Sequence, residues 1–413
     1  MEPQGKKYDQ DLIVVKVTPG WGFLEQVLPV VSALARLGHA TEIWVPEPWI
    51  THLVGTCDPT GQELEKVGAT FIAPNGLRGL TRSRSFKHFV LRNRLTSLLL
   101  KLAGLFGLRE KCYPPSSTYE HTKNVRIKVL ADCYFYDSEA KLTLGQRLLR
   151  DSDADAPHVS FYHGNFDPLS YPLPNALPHA IDIHCGYQEQ YERLKTLGNG
   201  QQRRVLLSTL PRLATQVESA DNLITSSRTV WFFSRSTGPP SGVESRTKVE
   251  TLSWLSRITA ENDLELKIQL HPSEIKHLFL REAKSAGLRN FSFGKLHYSD
   301  LWSTSTYAQR PLLAVANFVG LVPNLVRAGI PCIELWPEGL ENYDTKEGMH
   351  RFDFSERGMS IAVGQINEFQ RLVQSVLRGD TTLIKRQQSA VNRIYSVSGT
   401  SFEDLVQFIS DRR

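Results

Sequence analysis

Apolar residues follow two alternating rhythms along this chain. Leu12 to Val17 is a mostly apolar run rich in β-branched residues, the mark of a strand buried on both faces. Leu24 to Leu37 then repeats apolar residues at helical spacing and stops at Gly38. Ala40 to Val45 returns to the strand pattern. Together they predict a βαβ unit, hence a parallel sheet with a right-handed crossover. Ala69–Ala73 fits a third strand, and strand-like runs resume at Val125–Val129, Asp132–Tyr136 and His158–Tyr162. "IDIHCGYQEQYERLKTLG" reads as a short strand, a turn and a helix stopped by Gly198.

Gln201 to Arg228 is polar and poorly periodic, and it predicts a domain boundary. A second series follows, with strands at Thr229–Arg235, Leu266–Leu270, Leu312–Ala316, Cys332–Leu335 and Ser360–Val363. Helical spacing covers Thr247–Asn262, Glu274–Ala286 before Gly287, Val322–Ala328 before Gly329, and Ile366–Leu377. Ser401 is placed to cap a last helix, with Asp404 three residues on. The two series predict an α/β chain of two Rossmann-like, doubly wound domains facing a cleft. The first spans residues 1–215. The second spans residues 225–413 and includes the C-terminal helices.

Composition narrows the class. The chain has 413 residues, 41% apolar and 22% charged, which fits two globular domains. There is no uninterrupted apolar run of about 18 residues, so no spanning helix is expected. The polar start, "MEPQGKKYDQD", leads straight into a strand and does not read as a signal peptide. Five scattered cysteines without metal-type spacing read as reduced thiols of a cytoplasmic protein. A net charge of +5 does not point to nucleic acid. The positive charge concentrates in residues 81–111, where eight Lys and Arg interleave with Leu and Phe. Such a basic amphipathic insertion suits the anionic inner face of a membrane, and equally a helical segment packed on its own domain. "DSDADAP", Asp151 to Pro157, precedes a strand and reads as a solvated loop rather than a metal site.

Open parallel sheets bind ligands beyond the carboxyl ends of their strands. Gly20 and Gly22 follow the first strand and would let a ligand approach the backbone, while Glu25 in the next helix is either a general base or a dipole-stabilising carboxylate. His163-Gly164 follows the His158–Tyr162 run, and His271-Pro272-Ser273 follows Leu270. Each histidine is a turn residue or a ligand contact, and the repeated placement favours the second. Proline restricts the backbone of His271 to extended conformations. Glu274 is expected to stabilise the N-terminus of the following helix. Ser234, Arg235, Ser236 and Thr237 form a loop of hydroxyls, N–H groups and one guanidinium that suits a phosphate, unless it is a plain flexible loop. Asn317, Phe318, Val319 and Gly320 feed a helix N-terminus and would cradle a diphosphate. Glu334, near the end of the next strand, would accept hydrogen bonds from a ribose or sugar hydroxyl, or is simply solvated.

"LVPNLVRAGIPCIEL" and "ERGMSIAVGQINEFQRLVQSVLRGD" resemble the nucleotide-binding half of GT-B-type glycosyltransferases, and "LARLGHATEIWV" resembles the first unit of that fold. "YHGN" and "QLHPSE" are similar to the HG and HP motifs of CDP-glycerol glycerophosphotransferases and bacterial polysialyltransferases. Here Asn165, Phe166 and Asp167 follow the HG pair where that clan continues with a threonine and a basic residue, and Asn317-Phe318 replaces a serine pair. The resemblance implies that His271 meets the donor phosphate and helps the nucleotide leave, and that His163 lies on the acceptor side. It implies a first domain for the acceptor and a second for a nucleotide-sugar donor, with no cofactor and no metal. The implied reaction is inverting transfer of a sugar to a hydroxyl of a glycan or lipid-linked glycan in surface or capsule synthesis. CDP-polyol phosphotransfer, sugar-nucleotide 2-epimerisation and a non-catalytic scaffold are the alternatives.

Overall fold

The computed structural model describes residues 10–17, 21–44, 59–72, 125–132, 156–161, 181–197, 204–214, 227–235, 237, 244–271, 274–294, 310–316, 319–337, 353–396 and 401–411. The chain divides into two compact units, residues 1–214 with 397–413, and residues 215–396. The last seventeen positions therefore group with the first unit, where chain order alone had put them with the second.

The first unit is built on strands β1 (Gln10–Lys16), β2 (Ala40–Trp44), β3 (Thr70–Ile72), β4 (Val125–Asp132), β5 (His158–Phe161), β6 (Ile181–Cys185) and β7 (Val205–Leu207). They form one sheet in the order β3-β2-β1-β4-β5-β6-β7, with every pairing parallel. Its helices are α1 (Trp21–Arg36), α2 (Pro59–Lys66), α3 (Gln188–Leu197) and α4 (Pro211–Ala214). On α1, Phe23, Leu24, Val27, Val30, Val31 and Leu34 are buried, the i, i+3, i+4 stripe read from the sequence. The single strand β4 covers all of the predicted strand Val125–Val129 and reaches the first residue of the next, Asp132. The stretch read as an unpatterned boundary holds β7 and α4. Both are too short for periodicity to register, and β7 is only half-buried.

The second unit repeats the plan with β8 (Thr229–Phe233), β9 (Glu265–Gln269), β10 (Ser292–Phe293), β11 (Leu313–Ala316), β12 (Cys332–Leu335) and β13 (Ile361–Val363). Their order is β10-β9-β8-β11-β12-β13, again with every pairing parallel. The helices are α5 (Ser245–Glu261), α6 (Lys276–Ser285), α7 (Val322–Arg327), α8 (Asp353–Glu356), α9 (Ile366–Leu377) and α10 (Thr382–Tyr395). Alternate residues Val230, Phe232, Leu266, Ile268, Leu313, Val315, Ile333 and Leu335 build one core with Leu252, Leu255 and Phe279. Trp231 and Phe233, on the other face, stack with ring centroids 6.1 Å apart. At the start of β12, buried Gln387 of α10 donates to the carbonyl of Cys332 (2.7 Å) and accepts from its N–H (3.0 Å). Gly38, Gly287 and Gly329 follow their helices with φ between +71 and +87, the left-handed stop expected of them.

The last helix, α11 (Phe402–Asp411), carries the predicted cap. Asp404 N–H donates to Ser401 Oγ, and Ser401 N–H donates to the Asp404 carboxylate, both at 3.0 Å. These bonds hold the Asp404 carboxyl below its ordinary range. The helix packs on α1. Buried Lys128 donates to the carbonyl of Ser410 and pairs with Asp11 at 2.5 Å, and a 2.8 Å hydrogen bond joins His39 Nε2 to Ser410 Oγ.

Candidate functional site

Both sheets begin at their centre, run to one edge, and cross to build the other half. In such sheets the ligand crevice lies outside the carboxyl ends of the two central strands. In the second unit those strands are β8 and β11, paired Phe233 with Ala316. Strand β9 flanks β8, paired Gln269 with Phe233. Ser234, His271 and the chain beyond Ala316 thus leave three adjacent strands at the same end of one sheet.

Polar contacts tie that end together. Glu274 is buried between β9 and α6, outside the helix it was expected to stabilise. Its Oε1 accepts from Ser234 Oγ (2.9 Å) and from Lys248 Nζ of α5, and its Oε2 accepts from His271 N–H (3.2 Å). Its own N–H donates to the His271 carbonyl at 2.8 Å. Lys248 is buried as well. It pairs with Glu282 of α6 at 2.8 Å, donates to the Arg235 carbonyl at 3.0 Å, and lies 5.1 Å from the Phe279 ring centroid. Thr237, exposed, donates to Glu282 at 3.2 Å.

Ser234 N–H donates to Gln269 O at 2.9 Å, so both of its donors point inward and it anchors the loop rather than presenting a hydroxyl. Arg235 and His271 are half-buried. Val319 and Gly320 are half-buried at the approach to α7, where the Val319 carbonyl accepts from Val322 N–H at 3.0 Å. Glu334 is buried inside β12 and accepts from Ser360 Oγ, just before β13, at 2.5 Å. All four residues of β12 are buried, because this strand sits inside the sheet.

In the first unit α1 begins at Trp21, earlier than expected, because Phe23 already belongs to its buried stripe. Gly22 is therefore helical, and Glu25 falls in the second turn, where the field of the helix N-terminus is weaker. His163, Gly20, Ser236, Pro272, Ser273, Asn317, Phe318 and the basic segment 81–111 lie outside the described residues.

Sequence reasoning missed several buried polar groups. Lys16 and Asp132 end β1 and β4, the central strands of the first sheet, and both are wholly buried. A 2.9 Å hydrogen bond joins His184 Nε2 to Ser208 Oγ, with the imidazole 4.9 Å from the Phe161 ring. Burial drives that imidazole down to about 3. Cys185 and Cys332 are free and buried, and burial pushes both thiols well up. Among the described residues no cluster of His, Cys, Asp and Glu could hold a metal ion, and no helix is long and apolar enough to cross a membrane.

No family model matches the chain, and no curated protein matches it either. Solved structures do. Os79 from O. sativa, crystallised with a trichothecene, is 11% identical over 97% of this chain and 99% of its own, with a TM-score of 0.57. UGT89C1 of Arabidopsis thaliana, complexed with UDP-L-rhamnose, is 11% identical over 98% and 99%, with a TM-score of 0.53. A Listeria monocytogenes protein assigned as a UDP-N-acetylglucosamine 2-epimerase is 12% identical over 93% and 94%, also at 0.53. The fold is of the GT-B type, two Rossmann-like α/β units in one chain.

Proposed function

We propose that this chain is a GT-B glycosyltransferase whose second unit holds a nucleotide-activated sugar. One observation carries the reading. His271, Ser234 and the chain beyond Ala316 follow three neighbouring strands at the switch point of one parallel sheet. The fold shared with UGT89C1, which was crystallised with UDP-L-rhamnose, supports it.

In this proposal the acceptor hydroxyl attacks the anomeric carbon as the bond to the donor phosphate breaks, with inversion. Its proton passes to Glu25 or His163. The electrons of the broken bond leave with the nucleotide diphosphate, and His271 stabilises that charge directly or by giving it a proton. Arg235, Thr237, Ser273 and the backbone of residues 317–320 contact the phosphates, while Ser234 fixes the loop from behind. Glu334 is left out of the set because it is buried. The HG and HP pairs favour a role in surface or capsular glycan synthesis, and residues 81–111 favour an acceptor at an anionic membrane. The Listeria fold neighbour keeps 2-epimerisation as the second reading.

The test is a thermal-shift screen of the full chain against UDP-, CMP-, CDP- and GDP-linked donors, followed by single-turnover donor consumption. One donor class should raise the melting temperature, and His271→Ala should slow its consumption about 100-fold or more. No shift with any donor would favour a scaffold. A shift with CDP-alcohols alone would favour phosphotransfer, and release of an epimerised sugar nucleotide would favour the epimerase. Unchanged turnover in His271→Ala would remove that residue from the mechanism.

A further inference from the structure

We infer that Glu274 is the positioning residue for His271; the inference rests on the reading of His271 as the donor-phosphate contact. His271 and Glu274 are joined to each other twice. Glu274 N–H donates to the His271 carbonyl at 2.8 Å, and His271 N–H donates to Glu274 Oε2 at 3.2 Å. Both backbone polar groups of His271 are thereby bound to one residue. The imidazole leaves a backbone that cannot turn without breaking one of these bonds.

Glu274 is itself held from two other elements. Ser234, at the end of β8, donates to its Oε1 at 2.9 Å, and Lys248, in the first turn of α5, donates to the same oxygen. The ammonium has three hydrogens, and three acceptors surround it: Glu274, Glu282 and the Arg235 carbonyl. Lys248, Glu274 and Ser234 are all buried, at 3%, 4% and 2% exposure. A fully bonded ionic network in a low-dielectric interior has few alternative arrangements. One carboxylate thus sets the Ser234–Arg235 segment and the His271 backbone in register, across β8 and β9. A helix-stabilising glutamate would need none of these contacts.

Glu274→Gln separates this role from a merely structural one. The amide keeps the shape but offers one acceptor and one donor where the carboxylate offered two acceptors. It therefore confronts a donor either at His271 N–H or at Ser234 and Lys248. The remaining Lys248–Glu282 pair is neutral, which favours folding of the variant. On the full chain, kcat for the donor found in the screen should fall about 10- to 100-fold, while its KM stays within about three-fold. With ring-labelled histidine, the His271 imidazole resonance, assigned by its loss in His271→Ala, should shift or split in Glu274→Gln while the other histidines keep theirs. Ser234→Ala, which removes one bond of the network, should move both readouts the same way by less, and it decides the matter if Glu274→Gln does not fold. An unchanged His271 resonance together with unchanged kcat overturns the inference. If the wild-type chain consumes no donor, the donor reading fails. The resonance then still decides the inference, upholding it if displaced and overturning it if unmoved.

Discussion

His184 makes the first unit acid-sensitive in a calculable way. Its imidazole is buried against Phe161 and bonded to Ser208, and burial holds it at about 3 against an ordinary 6.5. The unfolded chain therefore takes up the proton first as pH falls. The full contribution of neutral His184 is present above pH 6.5, drains away as pH drops through that value, and stops changing below about 3. Between about pH 7.5 and pH 5.0 the loss comes to ~2 kcal/mol, at ~1.4 kcal/mol for each pH step below the unfolded value. The carboxyls held below their ordinary range, Asp380 at about 2 and Asp404, titrate below that window. His39, held down by burial and by Lys128, adds to the loss with the same sign. The assay is urea denaturation at several pH values for the wild-type chain and for His184→Gln, which does not titrate. The variant should be less stable at neutral pH by about 1 kcal/mol or more, because its side chain fits the site less well. Its stability should then fall by ~2 kcal/mol less on acidification. Parallel pH profiles for the two proteins would refute the reasoning.

Two further substitutions probe the second unit. Gln387→Leu leaves the N–H and carbonyl of Cys332 buried without the amide that now bonds both, and it should cost about 1–3 kcal/mol in thermal or urea melts; an unmoved midpoint would show that another group takes over those bonds. Gly294→Ala places a Cβ 2.7 Å from Cη2 of Trp231, a ring already packed against Phe233, so it should cost a similar ~1–3 kcal/mol and alter tryptophan fluorescence, whereas wild-type fluorescence and stability would mean that the ring moves freely.

The fold was legible because its signal is repetitive. Paired apolar runs and helical stripes, several stopped by glycine, mark most of the long elements of both units, though not the 14-residue α10. β7 and β10 escaped because too few positions repeat for a period to show, and α2 and α10 escaped as well. The candidate site was half legible. Strand-end placement located His271 and the Ser234 loop, since topology alone decides which end of a parallel sheet meets ligand. Side-chain direction is a different matter. Lys248 and Glu274 are 26 residues apart, and nothing local announces that a lysine on a helix will be buried against a carboxylate. The same limit hid the pairing of His184 with Ser208. The burial of Glu334 was hidden for a related reason: it lies one residue before the end of β12, and its partner, Ser360, sits just before β13.

The return of α11 to the first unit fixes an order of events during synthesis. Its buried face of Leu405, Val406 and Ile409 leaves the ribosome only after every residue of the second unit. Until then α1 packs on α2 and α4 but lacks α11, and Lys128 and His39 lack the Ser410 groups that bond them. Domains usually fold in the order they are made. Here the unit begun first is finished last, so the nascent chain must hold an open apolar strip on its first unit while the second is completed.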